Sequence, residues 1–191
     1  FSQACVLGVC MGASVAIAMA VAYPETVAGM VLHKPVGGPR WAMAGHERFN
    51  THHLFVKERG LDAVVELARE KRTFNNAPQA GPWAAAIAND ESFTQSFLEQ
   101  DVKSYTALVT MLGRTLFDRD TVPGAEPEEL MRLKIPTLIT PGHDPNHATS
   151  AARYLEECLP HAEYWDVLVD KQSPENIRDR TLGFLAGSRK Q

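Results

Sequence analysis

The chain has 191 residues, which suits one domain of ordinary size with a lid. It is 45% hydrophobic and 22% charged, the composition of a soluble globular protein. A formal net charge of -4 offers no footprint for nucleic acid or an anionic membrane surface, so we expect neither as a partner. Three scattered cysteines match neither a disulfide framework nor a zinc pattern, so we expect a reducing, cytoplasmic location with no metal or cofactor.

The first forty residues predict a βαβ unit. Ala4–Leu7 is a short apolar run typical of a buried parallel strand, and Gly8–Gly12 is a tight turn. Ala13–Ala22 predicts a helix without a polar face, which should be covered on most sides and is too short to span a membrane. Val27–Leu32 predicts a second buried strand. Two strands joined by a helix require a parallel sheet.

The rest of the chain divides into a helical region and a second α/β region. Between residues 41 and 118 there is no strand pattern, and apolar residues at helical spacing predict about four helices. The α/β pattern then resumes through the end of the chain. Its predicted elements are a helix over Glu128–Leu133, a strand over Pro136–Thr140, a helix over Ala148–Cys158, a strand over Ala162–Val169 and a helix over Ile177–Leu185.

The turn between the first strand and helix has the pattern Gly-x-Cys-x-Gly. This pattern, between a strand and a helix, is typical of a nucleophile elbow, in which a strained turn lifts the central side chain above the sheet. The two glycines would avoid clashes at the turn. Cys10 would then be the nucleophile, and the Met11 amide would donate to an oxyanion. The alternative is a structural cysteine in a tight turn.

Two runs of the chain resemble proteins of the α/β-hydrolase fold. One run resembles the elbow, the following helix and the next strand of esterases and C–C bond hydrolases. Its sequence is VLGVCMGASVAIAMAVAYPETVAGMVLHKPVGG. The late strand with the catalytic acid and the last crossover resemble LKIPTLITPGHDPNHATSAARYLEECLPHAEYWDV. The resemblance implies the C-terminal part of that fold, with a parallel-sheet α/β core over residues 1–40 and 119–191 and an inserted helical cap over 41–118. The family usually has Ser at the elbow, and Cys replaces it in dienelactone hydrolases and polyhydroxyalkanoate synthases.

The same resemblance implies the catalytic acid and raises a question about the base. Asp144 takes the acid's position, after the strand that ends at Thr140, although Asp is also common in ordinary turns. The family places its histidine in the loop after the last strand, but Val169–Pro174 contains none. His147 is our first candidate to replace this histidine as the base, and His33 is the second. His143 is a further candidate, as a residue that lines the pocket. Each could instead line a crevice or cap a helix.

The remaining histidines are expected to have no catalytic role. His161 precedes the last strand, at the opposite edge of the sheet, where solvent should surround it. His46, His52 and His53 lie in the insertion, where they could line a pocket or, more simply, form an exposed helical face. His52 and His53 are adjacent in sequence and would not face a single metal site.

These observations predict a Cys-dependent α/β hydrolase, or a related lyase or transferase, acting on an ester, thioester or C–C bond next to a carbonyl. The alternative is a non-catalytic protein of this fold that binds a small molecule or a partner. The family's earlier strands have no counterpart in the sequence, so the strand Ala4–Leu7 would have an unpaired edge. We therefore expect an N-terminal segment or a second chain to complete the sheet.

Overall fold

A computed structural model describes residues 2–71, 73–118 and 122–188. The chain forms two compact units, one of residues 1–41 and 119–191 and the other of Ala42–Asp118. The strands are β1 Ala4–Val9, β2 Val27–His33, β3 Thr137–Thr140 and β4 Ala162–Tyr164. The helices are α1 Met11–Ala22, α2 Pro39–Lys71, α3 Ala84–Asn89, α4 Glu91–Leu98, α5 Val102–Phe117, α6 Pro127–Leu130, α7 Thr149–Cys158 and α8 Pro174–Ser188.

The four strands form one parallel sheet in the order β1-β2-β3-β4, which confirms the predicted parallel α/β sheet. Parallel pairing places the carboxyl ends of β1, β2 and β3 side by side, because Val9 is in register with His33 and His33 with Thr140. One face of the sheet carries the main apolar core, formed with α1, α6 and α7. Its central members are Ala13, Ala16, Ile17, Met30, Leu32, Leu130, Ile139, Ala151 and Leu155.

The first strand and helix are less covered than their apolar sequences predict. Among the described residues β1 pairs only with β2, and Leu7 and Val9 are 55% and 49% exposed. Val15 of α1 is 66% exposed, with Met11 and Met19 also exposed on the same side of the helix. The prediction of a buried strand and a mostly covered helix is therefore wrong for this chain, since hydropathy reports the need for burial and not the presence of a covering element.

The last strand is shorter than predicted. Pairing with β3 ends at Tyr164, although the Trp165 amide still donates to the Ile139 carbonyl oxygen at 2.9 Å. The Val167 amide then donates back to the Trp165 carbonyl oxygen at 2.8 Å, which turns the chain away from β3. The predicted strand over Ala162–Val169 is therefore wrong in its second half.

The described residues of the unit Ala42–Asp118 are mainly helical, as the helical spacing of apolar residues predicts. Its helices are α2 to α5. The helix α2 bends at Gly60, whose φ of 78° lies in the left-handed region that favours glycine. Asp90 and Asp101 cap α4 and α5 by accepting hydrogen bonds from main-chain amides of the first turn. None of the helices in the described part of the chain is both long and apolar enough to cross a membrane.

His52 is buried inside this helical unit, so the expectation of an exposed histidine face is wrong at this position. Its Nδ1–H donates to the Gln79 carbonyl oxygen at 2.8 Å, and its Nε2 accepts from the Tyr105 hydroxyl at 2.7 Å. A Cβ on Gly81 would meet the imidazole at 2.4 Å. Burial lowers the pKa of His52, so the ring is held neutral between two hydrogen bonds.

Candidate functional site

Cys10 lies at the sharp turn between β1 and α1, in a strained backbone conformation. Its φ of 59° and ψ of -125° are unusual for a residue with a side chain. The Cys10 amide donates to the His33 carbonyl oxygen at 3.1 Å, which extends the ladder between β1 and β2 by one residue. The Met11 amide follows as the first of α1, where no preceding helical carbonyl can accept from it. This is the local geometry that the elbow motif predicts.

The two glycines of the motif differ in the space around them. A Cβ on Gly8 would lie 2.2 Å from the Gly12 carbonyl oxygen and 2.6 Å from the Ala13 nitrogen. A Cβ on Gly12 would meet no atom of the described residues within 4 Å. The prediction that crowding requires both glycines therefore holds only for Gly8 in this chain.

His33 ends the neighbouring strand and contacts a residue of the third strand. Its Nδ1 and the Thr140 hydroxyl are within hydrogen-bond distance, as expected for side chains in direct register. Burial, followed by the nearby charges of Lys34 and His147, lowers the pKa of His33. Lys34 itself has a φ of 48°, so a second strained residue follows β2 at the same edge of the sheet. Thr140 was not singled out from the sequence, and its only signal is a polar residue ending an apolar strand.

Asp144 and His147 form a close pair in the loop after β3. The His147 Nδ1 lies 2.8 Å from one carboxylate oxygen of Asp144 and 2.9 Å from the other. The Asp144 carboxylate also accepts from the amides of Asn146 and His147. Burial acts to raise the pKa of Asp144, but hydrogen bonds from the His147 ring and these amides outweigh it and lower the pKa. The carboxylate is thus held ionised beside the imidazole.

The opposite nitrogen of the His147 ring is left uncommitted. The side chain of His147 is 18% exposed, and Nε2 is buried without a hydrogen-bond partner in the described part of the chain. With Nδ1–H donating to Asp144, a neutral ring has its lone pair on Nε2. A carboxylate on one nitrogen and a free lone pair on the other is the arrangement that a general base needs.

Backbone contacts tie the loop after β2 to the loop with the acid. The Gly37 amide donates to the Asn146 carbonyl oxygen at 3.1 Å, so the two loops run side by side at this edge. A Cβ on Gly142 would lie 2.4 Å from the Cβ of His147, which requires glycine for this close approach. Gly142 is a further contributor that sequence reasoning did not single out.

His143 is exposed and lies beside a separate cavity near this edge of the sheet. It lines a cavity of about 380 Å³ together with Pro141, Thr149, Arg153 and Tyr164. The Arg153 guanidinium lies 3.6 Å from the centre of the Tyr164 ring. The structure therefore places His143 at the carboxyl edge, but among the described residues it forms no hydrogen bond with Asp144 or His147.

The loop Val169–Pro174, in which the sequence resemblance implies a histidine, contacts the loop that carries Asp144. Val169–Lys171 forms a single 3₁₀ turn, and the Gln172 amide group donates to the carbonyl oxygens of Pro141 and Val167, each at 3.2 Å. Gln172 thus links this loop to the one that carries Asp144. His161 lies at the opposite edge and is exposed, as expected, where it lines a separate cavity of about 750 Å³.

The candidate site therefore groups Cys10, His33, Asp144 and His147 at one edge of the sheet, with the Thr140 hydroxyl within hydrogen-bond distance of His33. Among the described residues no hydrogen bond joins the Cys10 sulfur to either histidine ring. These residues sit at the carboxyl ends of three adjacent strands, where parallel α/β sheets commonly bind ligands. In the described ranges no group of three His, Cys, Asp or Glu side chains is arranged to hold a metal ion.

Comparison with known proteins finds likenesses in structure only. No protein-family model matches the chain, and no curated protein matches it. An esterase from Thermogutta terrifontis, solved with malate bound, is 18% identical with a TM-score of 0.52 over 98% of this chain and 66% of its own. MGS-M2, an α/β hydrolase from a Medee basin deep-sea metagenome, is 20% identical with a TM-score of 0.51 over 97% of this chain and 66% of its own.

A third likeness is to an α/β hydrolase from Sphaerobacter thermophilus, 15% identical, with a TM-score of 0.51 over 96% of this chain and 68% of that one. The chain thus spans about two thirds of the length of these proteins. Identities this low concern architecture alone, and the architecture agrees with the parallel sheet and strained turn described above. The chain has the α/β-hydrolase fold.

Proposed function

We propose that this chain carries the nucleophile, base and acid of a Cys-dependent acyl-transfer enzyme, most simply a hydrolase of an ester, thioester or C–C bond next to a carbonyl. One observation carries the proposal: the strained Cys10 shares the carboxyl edge of the sheet with an Asp144–His147 pair, and the buried Nε2 of His147 has no partner in the described residues. The three structural neighbours are named as an esterase and two α/β hydrolases, which agrees with this reaction class.

The proposed reaction assigns one role to each group. His147 Nε2 accepts the thiol proton, and the Cys10 sulfur adds to the substrate carbonyl carbon while the Met11 amide donates to the resulting oxyanion. The oxyanion collapses, the leaving group departs with the proton from His147, and the acyl group stays on the sulfur. Water, deprotonated by His147, then releases the acid and restores the thiol. Asp144 holds the imidazole in place and stabilises its charged form.

The proposal also includes a segment that completes the sheet along β1, either further residues of the same polypeptide or a second chain. The open edge of β1 and the exposed apolar side chains of Leu7, Val9 and Val15 support it, since such an edge invites another strand. The substrate is then a small carbonyl compound that reaches Cys10 in the completed fold. We further propose that residues 41–118 act as the cap over that substrate.

The test is the rate of alkylation by iodoacetamide, followed by intact mass and peptide mapping. Cys5 is exposed and Cys158 buried, so the chain contains an accessible and an inaccessible reference thiol. We expect Cys10 to react faster than Cys5 although it is less exposed, and we expect His147→Ala to remove that advantage. Equal or slower labelling of Cys10 would contradict a catalytic thiol.

The second candidate is a protein of this fold that binds a small molecule without turning it over. The loop in which the family's histidine is expected favours it, because Gln172 there makes two structural hydrogen bonds instead. An assay with p-nitrophenyl esters and acyl thioesters separates the two candidates. Absence of acylated Cys10 by intact mass, in a folded protein, would favour binding over catalysis.

A further inference from the structure

His33 is a titratable side chain next to the elbow in the sheet, and the proposed reaction has not used it. It ends the strand next to Cys10, and its carbonyl oxygen accepts the Cys10 amide at 3.1 Å. Neighbouring strands are only about 4.8 Å apart, so an imidazole at this position borders the space above Cys10. The His33 side chain is half-buried, so part of the ring contacts solvent.

The contact with Thr140 determines which nitrogen of His33 carries the proton. Thr140 is 1% exposed, and no other hydrogen bond of its hydroxyl occurs among the described residues. If His33 Nδ1 donated, the buried Thr140 hydroxyl hydrogen would have no acceptor, which is unfavourable for a polar group shielded from water. Thr140 therefore donates to Nδ1, and a neutral ring carries its hydrogen on Nε2. The lowered pKa of His33 agrees with a neutral ring.

The Nε2–H of His33 is available to a ligand. It makes no hydrogen bond with any described residue, and it is not among the buried polar atoms that lack a partner, so solvent reaches it. His147 differs in its tautomer and in its burial, because its Nδ1 donates to Asp144 and its Nε2, which carries the lone pair, is buried. The two histidines are thus suited to opposite tasks, one as a donor and the other as an acceptor.

We propose that His33 Nε2–H is a second oxyanion donor beside the Met11 amide. This inference rests on the proposed function, since it needs a tetrahedral intermediate on Cys10. When the sulfur adds to the carbonyl carbon, the electron pair of the C=O bond moves onto oxygen, and His33 donates to that oxygen without transferring its proton. The proton of the thiol goes to His147. Collapse of the intermediate re-forms the C=O bond and expels the leaving group.

The experiment compares two reactions of the same thiol in the full chain, in the form in which it folds. Alkylation by iodoacetamide needs a thiolate but forms no oxyanion, whereas acylation by p-nitrophenyl butyrate passes through one. The variants are His33→Ala, which removes the donor, His33→Gln, whose amide can reach the position of Nε2, and His33→Asn, whose amide matches Nδ1 instead. His161→Ala, at the exposed opposite edge, is the matched control. Thermal melting of each variant verifies folding.

We expect His33→Ala to slow acylation about 100-fold, the usual effect of losing one oxyanion donor, with alkylation changed less than twofold. His33→Gln should recover at least tenfold of the lost acylation rate, and His33→Asn should not. A parallel loss of alkylation and acylation, or wild-type acylation by His33→Ala, would overturn the assignment of His33 while leaving a reactive Cys10. A wild-type Cys10 that neither acylates nor outpaces Cys5 would overturn the proposed function, and this inference with it.

Discussion

The imidazole of His147 lies 2.8 Å from the carboxylate of Asp144, and only two residues separate them in the chain. The pair is formed within one loop, so it needs no distant segment to bring acid and base together. The amides of Asn146 and His147 also donate hydrogen bonds to this carboxylate. We therefore expect the pair to persist whenever β3 and its following loop are folded.

Replacing Asp144 by Asn tests this pair. The amide cannot stabilise an imidazolium, so we expect the rate of Cys10 acylation by p-nitrophenyl butyrate to fall by roughly 100-fold or more. Stopped-flow release of p-nitrophenolate measures it. Asp170→Asn, an exposed acid in a different loop, is the control. An unchanged acylation rate in Asp144→Asn would exclude this carboxylate from the reaction.

The elbow glycines provide a matched pair of stability tests. Gly8→Ala forces a Cβ within 2.2 Å of a backbone oxygen, so we expect a loss of about 2–4 kcal/mol in the free energy of unfolding. Gly12→Ala meets no described atom within 4 Å and gains helix propensity, so we expect it to be neutral or stabilising by up to about 1 kcal/mol. Urea unfolding followed by circular dichroism distinguishes them. Equal losses would show that both positions are crowded in the folded protein.

The buried His52 predicts a pH dependence of stability. Its pKa is lowered in the folded state, so the unfolded chain binds the proton more tightly. The contribution of the neutral His52 ring to the free energy of unfolding is fully present above the unfolded pKa of about 6.5. It is lost as the pH falls from there toward the lower pKa of the folded state. We expect the melting temperature to drop between pH 7 and pH 5. His33, also lowered, contributes with the same sign.

The variant His52→Ala should reduce this pH dependence without abolishing it. At pH 7 it also leaves the Tyr105 hydroxyl and the Gln79 carbonyl oxygen without their partner, and we expect a loss of about 2–3 kcal/mol. His46→Gln, a half-exposed residue paired with Asp118, is the control for histidine titration in the same unit. Differential scanning calorimetry from pH 5 to pH 7.5 gives the slope of melting temperature against pH for the wild type and for each variant. An unchanged slope in His52→Ala would contradict a neutral buried ring.

The open edge of β1 predicts the behaviour of residues 1–191 produced alone. Unpaired strand edges with exposed apolar side chains associate, so we expect oligomers or aggregates by light scattering. Leu7→Lys places a charge on that edge and should shift the protein toward smaller species. Leu168→Lys, at a residue 73% exposed outside the strand, should shift it less. A monomer that melts cooperatively without any partner would refute the proposed completing segment.

The sequence by itself determined the elements and the places of the candidate residues. Local glycine spacing and apolar runs were sufficient for the elbow at Cys10 and for a parallel sheet, because turn strain and strand burial depend on neighbours in the chain. The same applies to Asp144, which lies in the loop that follows β3. His147 was the first substitute for the missing base, and the structure places it against Asp144.

Tertiary structure decided what covers or contacts each element. The exposure of β1 and α1, the burial of His52 and the early end of β4 depend on which other segments pack against them, and hydropathy does not encode that choice. The pairing of His33 with Thr140 joins residues 107 positions apart, and only strand register brings them together. The strained turn at Cys10 is predictable because its cause is local, whereas the tautomer of His33 depends on a hydroxyl that only the folded sheet supplies.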